Sequence, residues 1–455
     1  MINGHDEAFA LGERVIEAAK KLGATVAEAT VRESSHLSTK IRMDKPELVE
    51  EAGSKGLGLR VFIDQQVAMS YTSDLSDQGI QNLVEDVVEL ARLSQADEFA
   101  GPPDASLLST EDQHQDLDLY DEGMGRLEAD AALEMARSGE KAAFAHDERI
   151  INSEGATVTR VAGSSVLVTS GGFRGGSQGT YASVVVRPVV DDEGGKKRSG
   201  AHWDARRHFG DLANPSDVGK EAAVRTLRKL GAKKVATQEV PVVFDPDAAR
   251  SILGLLAASI NGSSIWRKSS YLAEREGTDI ASGLVTIVDD PTIVRAPGSR
   301  TFDGEGLLAR KNLIVEGGVL RTFLLDSYCA RKLNKGSTAS ASRGGSGGVG
   351  PSTSNFILQP GSDDPKDIVS GTKAGLYVTE MMGSGFNPTT GDFSRGASGF
   401  WIENGELAYP VSEVTISLNL DEIWKRVDAV GTDLELKTSV AAPTFRVSSM
   451  TVAGR

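Results

Sequence analysis

The stretch 375–419, GLYVTEMMGSGFNPTTGDFSRGASGFWIENGELAYPVSEVTISLN, constrains the fold more than any other part of the chain. Asn404-Gly405 separates the apolar runs FWI and LAY, and Asn-Gly between such runs is the strongest short-range signal for a β-hairpin. Ahead of that turn Asn387, Thr389, Asp392, Ser394 and Arg395 lie among Gly385, Gly391, Gly396 and Gly399. Glycine lets backbone come close to backbone or to a ligand. The segment is either a tight structural loop or a binding surface.

The residues around it extend the strand pattern. PVVFD is followed by Asp245-Pro246, a capping residue with proline in the first turn, which predicts a helix over 247–260. Strand-like runs follow at 284–288, 313–315, 319–325, 355–358, 376–382, 399–402, 407–411 and 414–420, with a short helix near 421–427. Strands at this density with Gly-rich turns predict a β-rich barrel- or sandwich-like domain over 237–455. Inside it, 14 of the 19 residues 336–354 are Gly, Ser or Thr. That composition builds no core and predicts a mobile loop, either an access lid or a plain linker.

Upstream the pattern is mixed. Apolar residues at helical spacing predict helices over 7–22 and 76–91, flanking strands 24–32, 36–43, 58–64 and 66–72. Residues 1–100 thus form an N-terminal α+β unit. Residues 101–118 are polar, acidic and proline-bearing, which suggests a linker or exposed crossing. A middle α+β unit over 119–236 carries helices at 126–144 and 216–230, and strands at 149–169 and 180–188 split by SGGFRGGSQG. The fold class is α+β, and 455 residues allow about three domains.

Bulk properties exclude several functions. A formal charge of −15 argues against a nucleic-acid surface, which needs clustered Lys and Arg. One cysteine, Cys329, allows no internal disulfide and fits a reducing compartment. The N-terminus lacks the basic and apolar regions of a signal peptide. The longest strongly apolar run, 252–260, is far below the roughly 20 residues that span a bilayer. These features predict a soluble cytoplasmic protein.

Catalytic motifs are missing. The six histidines include no His-Glu-x-x-His, and the closest two, His202 and His208, are six apart. Cys329 has apolar neighbours and reads as a buried structural thiol. RGGSGGVGPSTS lacks the ending of a P-loop, and no Gly-x-Ser-x-Gly sits at a strand-to-helix turn. Asp289-Asp290, Asp303 and Glu305 read equally well as a cation site or as solvated turn carboxylates.

A resemblance adds what the motifs do not. NPTTGDFSRGASGFWIENGELAYPVSEVTISLNL, IVDDP, FDGEG, LLDSYCARKL, APTFRVSSMTVAG and PVVFDPDAARSILGLLAASINGS, in that family's order, resemble the TldD/TldE (PmbA) family, most closely its TldE/PmbA branch. The resemblance implies a cytoplasmic two-subunit metallopeptidase that degrades unfolded peptides inside a closed chamber. It also brings links to microcin processing, antitoxin turnover and modulation of DNA gyrase. The TldD branch carries zinc on His-Glu-x-x-x-His of the helix opening the last domain, with a cysteine near the C-terminus. Here the corresponding residues 252–262, ILGLLAASING, hold no His, Cys, Asp or Glu, and 441–455 hold no cysteine. Aliphatic side chains offer zinc no donor.

The expectation is a subunit that binds no cofactor itself and pairs with a TldD-like, zinc-bearing partner. A homodimer without that partner stays open, and neither nucleic acid nor membrane is contacted. Asn387, Asp392, Ser394 and Arg395 then belong to a chamber wall or subunit contact, or Asp392 and Arg395 merely pin a tight turn. Two other readings are an interaction protein acting on gyrase or toxin–antitoxin components, and a homodimeric hydrolase using Asp392, Ser394 or Cys329.

Overall fold

The structure, a computed structural model, describes residues 5–454. Helix α1 (Asp6–Lys21) buries Ala8, Val15, Ile16 and Ala19 at helical spacing. β1 (Val26–Arg42) and β2 (Lys45–Ile63) form a long hairpin about Met43 and Asp44, and β3 (Gln66–Thr72) returns along the far end of β2. Ser76 caps α2 (Asp77–Leu93) by accepting from the Gly79 N–H. Next come α3 (Glu122–Gly125), α4 (Ala129–His146), β4 (Asn152–Thr169), β5 (Arg174–Asp191), β6 (Lys197–Ser199), β7 (His202–Arg206) and α5 (Pro215–Leu227).

Strands from 1–100 and from 119–236 join one sheet, ordered β3-β2-β1-β4-β5-β6, with β7 also on β5. β1 is continuous where the sequence suggests two strands, and β5 runs through part of SGGFRGGSQG. Neighbours on both sides explain this. β1 is hydrogen-bonded to β2 and to β4 along its length, so the ladder holds Glu33, Ser34 and Ser35 despite their weak strand preference. Ala27, Ala29, Val31, Leu37 and Ile41 share one face of β1 by their spacing of two. That face is covered by α1 and α2 at one end and by α4 and α5 at the other.

The C-terminal region comprises β8 (Gln238–Phe244), α6 (Pro246–Ser259), α7 (Gly262–Trp266), β9 (Ile287–Asp289), β10 (Asn312–Glu316), β11 (Val319–Leu320), α8 (Ser327–Lys332), β12 (Ala341–Arg343), β13 (Val349–Pro351), β14 (Phe356–Leu358), α9 (Pro365–Ser370), β15 (Ala374–Met382), β16 (Asp392–Glu403), β17 (Glu406–Asn419), α10 (Leu420–Lys425), β18 (Val427–Val430), β19 (Val440–Ala441) and β20 (Phe445–Ala453). Strands β17, β16, β15, β8 and β20 pair in turn, and β20 pairs back onto β17, closing a barrel. The α+β class with a β-rich barrel at the C-terminal end therefore holds. Asn404 and Gly405, both at positive φ, turn the β16–β17 hairpin. β11-β10-β9-β14-β19 form a second sheet, and one core joins both through Phe244, Leu253, Leu256, Trp424 and Phe445. Among the described residues no helix is long and apolar enough to cross a membrane.

The expected mobile loop at 336–354 is a correction. β12 and β13 pair within it, and Thr338, Ser340, Ala341, Arg343 and Ser354 are buried. Its composition rules out an apolar core of its own but not anchoring by polar bonds. Arg343 donates to Glu28 at 2.6 Å and to the Gly304 carbonyl at 2.8 Å. Thr338 Oγ1 accepts from the Leu325 N–H at 2.7 Å, and Asp289 accepts from the Ser354 N–H at 2.6 Å.

The acidic crossing 101–118 is likewise held down. Arg331 donates to the carbonyls of Phe99, Gly101 and Pro102 at 2.8, 2.8 and 3.1 Å. Leu117 is buried, and the Ser109 N–H donates to Gly306 O at 2.9 Å.

Candidate functional site

Because helices cover only one face of the large sheet, its other face is free to meet the C-terminal region. Between them lies a cleft of about 1090 Å³. Thr30, Arg32 and Ser34 of β1 line it, with Ser54 to Gly56 of β2 at its edge and Ser299, Arg300 and Thr301 opposite. Beside Thr30 on the same face, Glu28 is buried with its Oε2 2.6 Å from Arg343 and 3.4 Å from Arg60. Burial alone would raise the Glu28 carboxyl, but the two guanidiniums outweigh it and hold the group below its ordinary value.

A second cleft, about 720 Å³, opens over the first turn of α6 and is lined by Asp245, Asp247, Arg225 and Arg250 among others. Asp245 caps α6 by accepting from the Ala248 N–H at 2.8 Å, and burial pushes its carboxyl up to about 7. Beyond that turn α6 offers no ligand: Ile252, Leu253, Leu256 and Ala257 are buried in the core. Among the described residues no three His, Cys, Asp or Glu side chains gather as a metal site. The donor set of the described residues of α6 does not fit zinc.

The four residues singled out from the sequence separate in space. Asn387 Oδ1 accepts from the Thr389 N–H at 3.0 Å. Asp392 accepts from Thr390 Oγ1 at 2.6 Å and from Asn419 Nδ2 at 3.3 Å, bonds that hold its carboxyl below the usual range. The Ser394 N–H donates to Gly385 O at 2.9 Å. A Cβ on Gly385 would stand 1.8 Å from the Ser394 carbonyl, so only glycine permits this approach. Arg395 turns away to reach Ser251 of α6 at 3.2 Å. None of the four lines either cleft. Asn387 and Asp392 pin the turn, and Arg395 does not.

The acidic clusters are not solvated turns. Asp289, Asp303 and Glu305 are buried and serve backbone N–H groups. Asp303 Oδ1 accepts from Glu305 and Leu307 at 2.9 and 3.0 Å, and Glu305 accepts from Ser327 at 2.9 Å. Burial pushes the Glu305 carboxyl up to about 7.

Cys329 is buried in α8, and burial pushes its thiol up to about 12. It is therefore a thiol and not a thiolate near neutrality. A maleimide probe at pH 7.5 is expected to leave the native chain unmodified and to label its single cysteine in urea. Rapid native labelling would restore the nucleophile reading. Arg32, Arg207 and Arg300, which line the large cleft, carry no motif. Their only sequence signal is the placement of Arg32 two residues from Thr30 and Ser34 on one strand face.

Known proteins align with this architecture throughout. Residues 27–91 match PmbA/TldA metallopeptidase domain 1, 125–230 its central domain and 237–454 its C-terminal domain. A metalloprotease PmbA homolog of Haemophilus influenzae is 35% identical over 96% of this chain and 94% of its own length. Metalloprotease PmbA of Escherichia coli O157:H7 is 34% identical over 94% and 92%. A proposed modulator of DNA gyrase from Bacteroides thetaiotaomicron superposes with a TM-score of 0.92 at 30% identity, over 100% of both chains. TldE of Thermococcus kodakarensis shares the fold, with a TM-score of 0.86 at 21% identity over 98% of this chain and 100% of that one. With three consecutive domains matched and PmbA-type relatives aligned from end to end, the chain belongs to the PmbA/TldE family of metallopeptidase-related proteins.

Proposed function

We propose that this chain is the metal-free subunit of a two-subunit cytoplasmic peptidase that degrades unfolded peptides. In this reading it walls the chamber while a TldD-like partner carries the zinc. The observation that carries this reading is the stretch 252–262, the end of α6 and the turn after it, which has no metal donor where a catalytic chain of the family needs one. The lone buried cysteine fits a reducing compartment. Exposed Asp392 and Ser394 are the proposed partner contact.

The test compares the pure chain with the chain co-expressed with a TldD-type protein. The chain alone should hold well under one zinc per molecule and cleave no unfolded peptide. The pair should copurify, with zinc and activity together. Stoichiometric zinc and turnover in the chain alone would overturn the reading, as would capture of gyrase with no metal-bearing partner.

A further inference from the structure

We propose that the large cleft between the sheet and the C-terminal region receives an acidic, extended peptide segment whose carboxylates are met by Arg32, Arg207 and Arg300. This rests on the peptidase-subunit reading and adds a substrate class to it.

Three arginines line this cleft, and among the described residues none of them forms an ion pair. Arg207 donates to the carbonyls of Ala296, Pro297 and Thr180. Arg32 donates to the Arg343 carbonyl. The Arg300 Nε is shut off from solvent and has no hydrogen-bond partner among the described residues. Carboxylates are not scarce in a chain of charge −15. Elsewhere the protein does neutralise such groups: buried Arg60 and Arg343 share Glu28. A half-buried cation outside any ion pair costs stability, and three such groups at one cleft are the arrangement of an anion site.

Of the acids lining the cleft, exposed Asp116 accepts only from the Asp118 N–H at 2.9 Å among the described residues, while the other two are in ion pairs. Glu33 pairs with Lys55 at 3.3 Å, and Asp118 pairs with Arg295 at 2.6 Å. Asp289 and Asp303, the nearest acids behind Arg300, serve backbone N–H groups. Burial draws all three guanidiniums below their ordinary value, and for Arg300 it outweighs the opposing attraction of Asp289 and Asp303.

The edge of β2 favours a peptide over a small anion. β3 pairs only with Leu57 to Ile63 of β2, so Ser54, Lys55 and Gly56, which line the cleft, have no outer neighbour strand. Their free backbone groups can pair with an extended chain.

The test uses the full chain and fluorescence anisotropy with two labelled, C-terminally amidated peptides. One alternates glutamate and serine, and the other carries glutamine for glutamate. The acidic peptide should bind about ten-fold tighter, the effect of one charge-assisted contact. Arg300→Gln should remove that preference and leave the glutamine peptide unchanged. Its Tm should stay level or rise, because a charge that burial disfavours more than its neighbours favour it is removed, whereas a purely structural arginine would lower it. Equal binding of the two peptides overturns the proposal, as does an unaltered preference in Arg300→Gln. Inorganic phosphate binding as tightly as the acidic peptide, with the same Arg300 dependence, would replace a peptide by a small anion. Each of these failures leaves zinc content and partner capture untouched.

Discussion

Glu28→Ala is expected to cost about 3–5 kcal/mol of unfolding free energy in urea titration at pH 7, because it strands two buried cations. Arg343 and Arg60 would lose their only ion-pair partner among the described residues. The carboxyl also anchors β12–β13 to β1 across the cleft, since Arg343 holds both Glu28 and the Gly304 carbonyl. The variant should therefore be cut faster by proteases within 344–348, while α1 and α2 stay protected. The pH dependence has a definite sign. The folded carboxyl titrates below its unfolded value of 4.5, so its contribution is present above 4.5 and fades as pH falls through the folded value. The gap between wild type and variant should narrow on acidification. A loss under about 1 kcal/mol at pH 7 would show that the arginines find other partners or water.

This cluster shows where sequence reading reaches and where it stops. Local signals were strong for α1, α2, α6 and the β16–β17 turn. Those elements carry their own caps, apolar spacing or Asn-Gly pair. Strand density pointed to a barrel or a sandwich, and only the pairing of β20 with β17 decides between them. Hidden from the sequence was order imposed from outside a segment. Residues 336–354 look too poor in apolar side chains to fold, yet Arg343 is bonded to Glu28, 315 positions away. β2 from Lys45 onward is a strand because β1 lies beside it, not through the preference of its own Glu, Gly and Ser residues. The site suffered most. Its arginines come from β1, from the chain just after β7 and from a loop ahead of β10, with no spacing to connect them. Polar residues among glycines drew notice instead; Asn387 and Asp392 bond within the turn and to Asn419, and Arg395 reaches Ser251 of α6.

The opposite electrostatic case lies across the fold, and it predicts a gain. Glu305→Gln is expected to stabilise the protein by about 3 kcal/mol at pH 8 and by almost nothing near pH 4. Burial raises the Glu305 carboxyl from 4.5 to about 7, with Asp303 and Asp326 adding repulsion. Between those pH values the unfolded chain releases its proton while the folded chain keeps it. Wild-type stability therefore falls as pH rises from 4.5 to about 7, then levels. Glutamine has no proton to release, and its carbonyl oxygen still accepts from the Ser327 N–H that Glu305 serves at 2.9 Å. Asp303 is raised in the same direction, so the two acids titrate as a pair and the transition should be broad. Urea midpoints of both proteins from pH 4 to pH 8 check this. A difference that does not change across that range, or a less stable variant at pH 8, would mean that Glu305 is ionised in the folded chain and held by contacts stronger than its burial. The position matters because Glu305 sits under the first turn of α8, whose Arg331 clamps residues 99–102. Below about pH 7 a neutral, hydrogen-bonded acid there ties the barrel domain to the crossing chain without placing a full charge in the core.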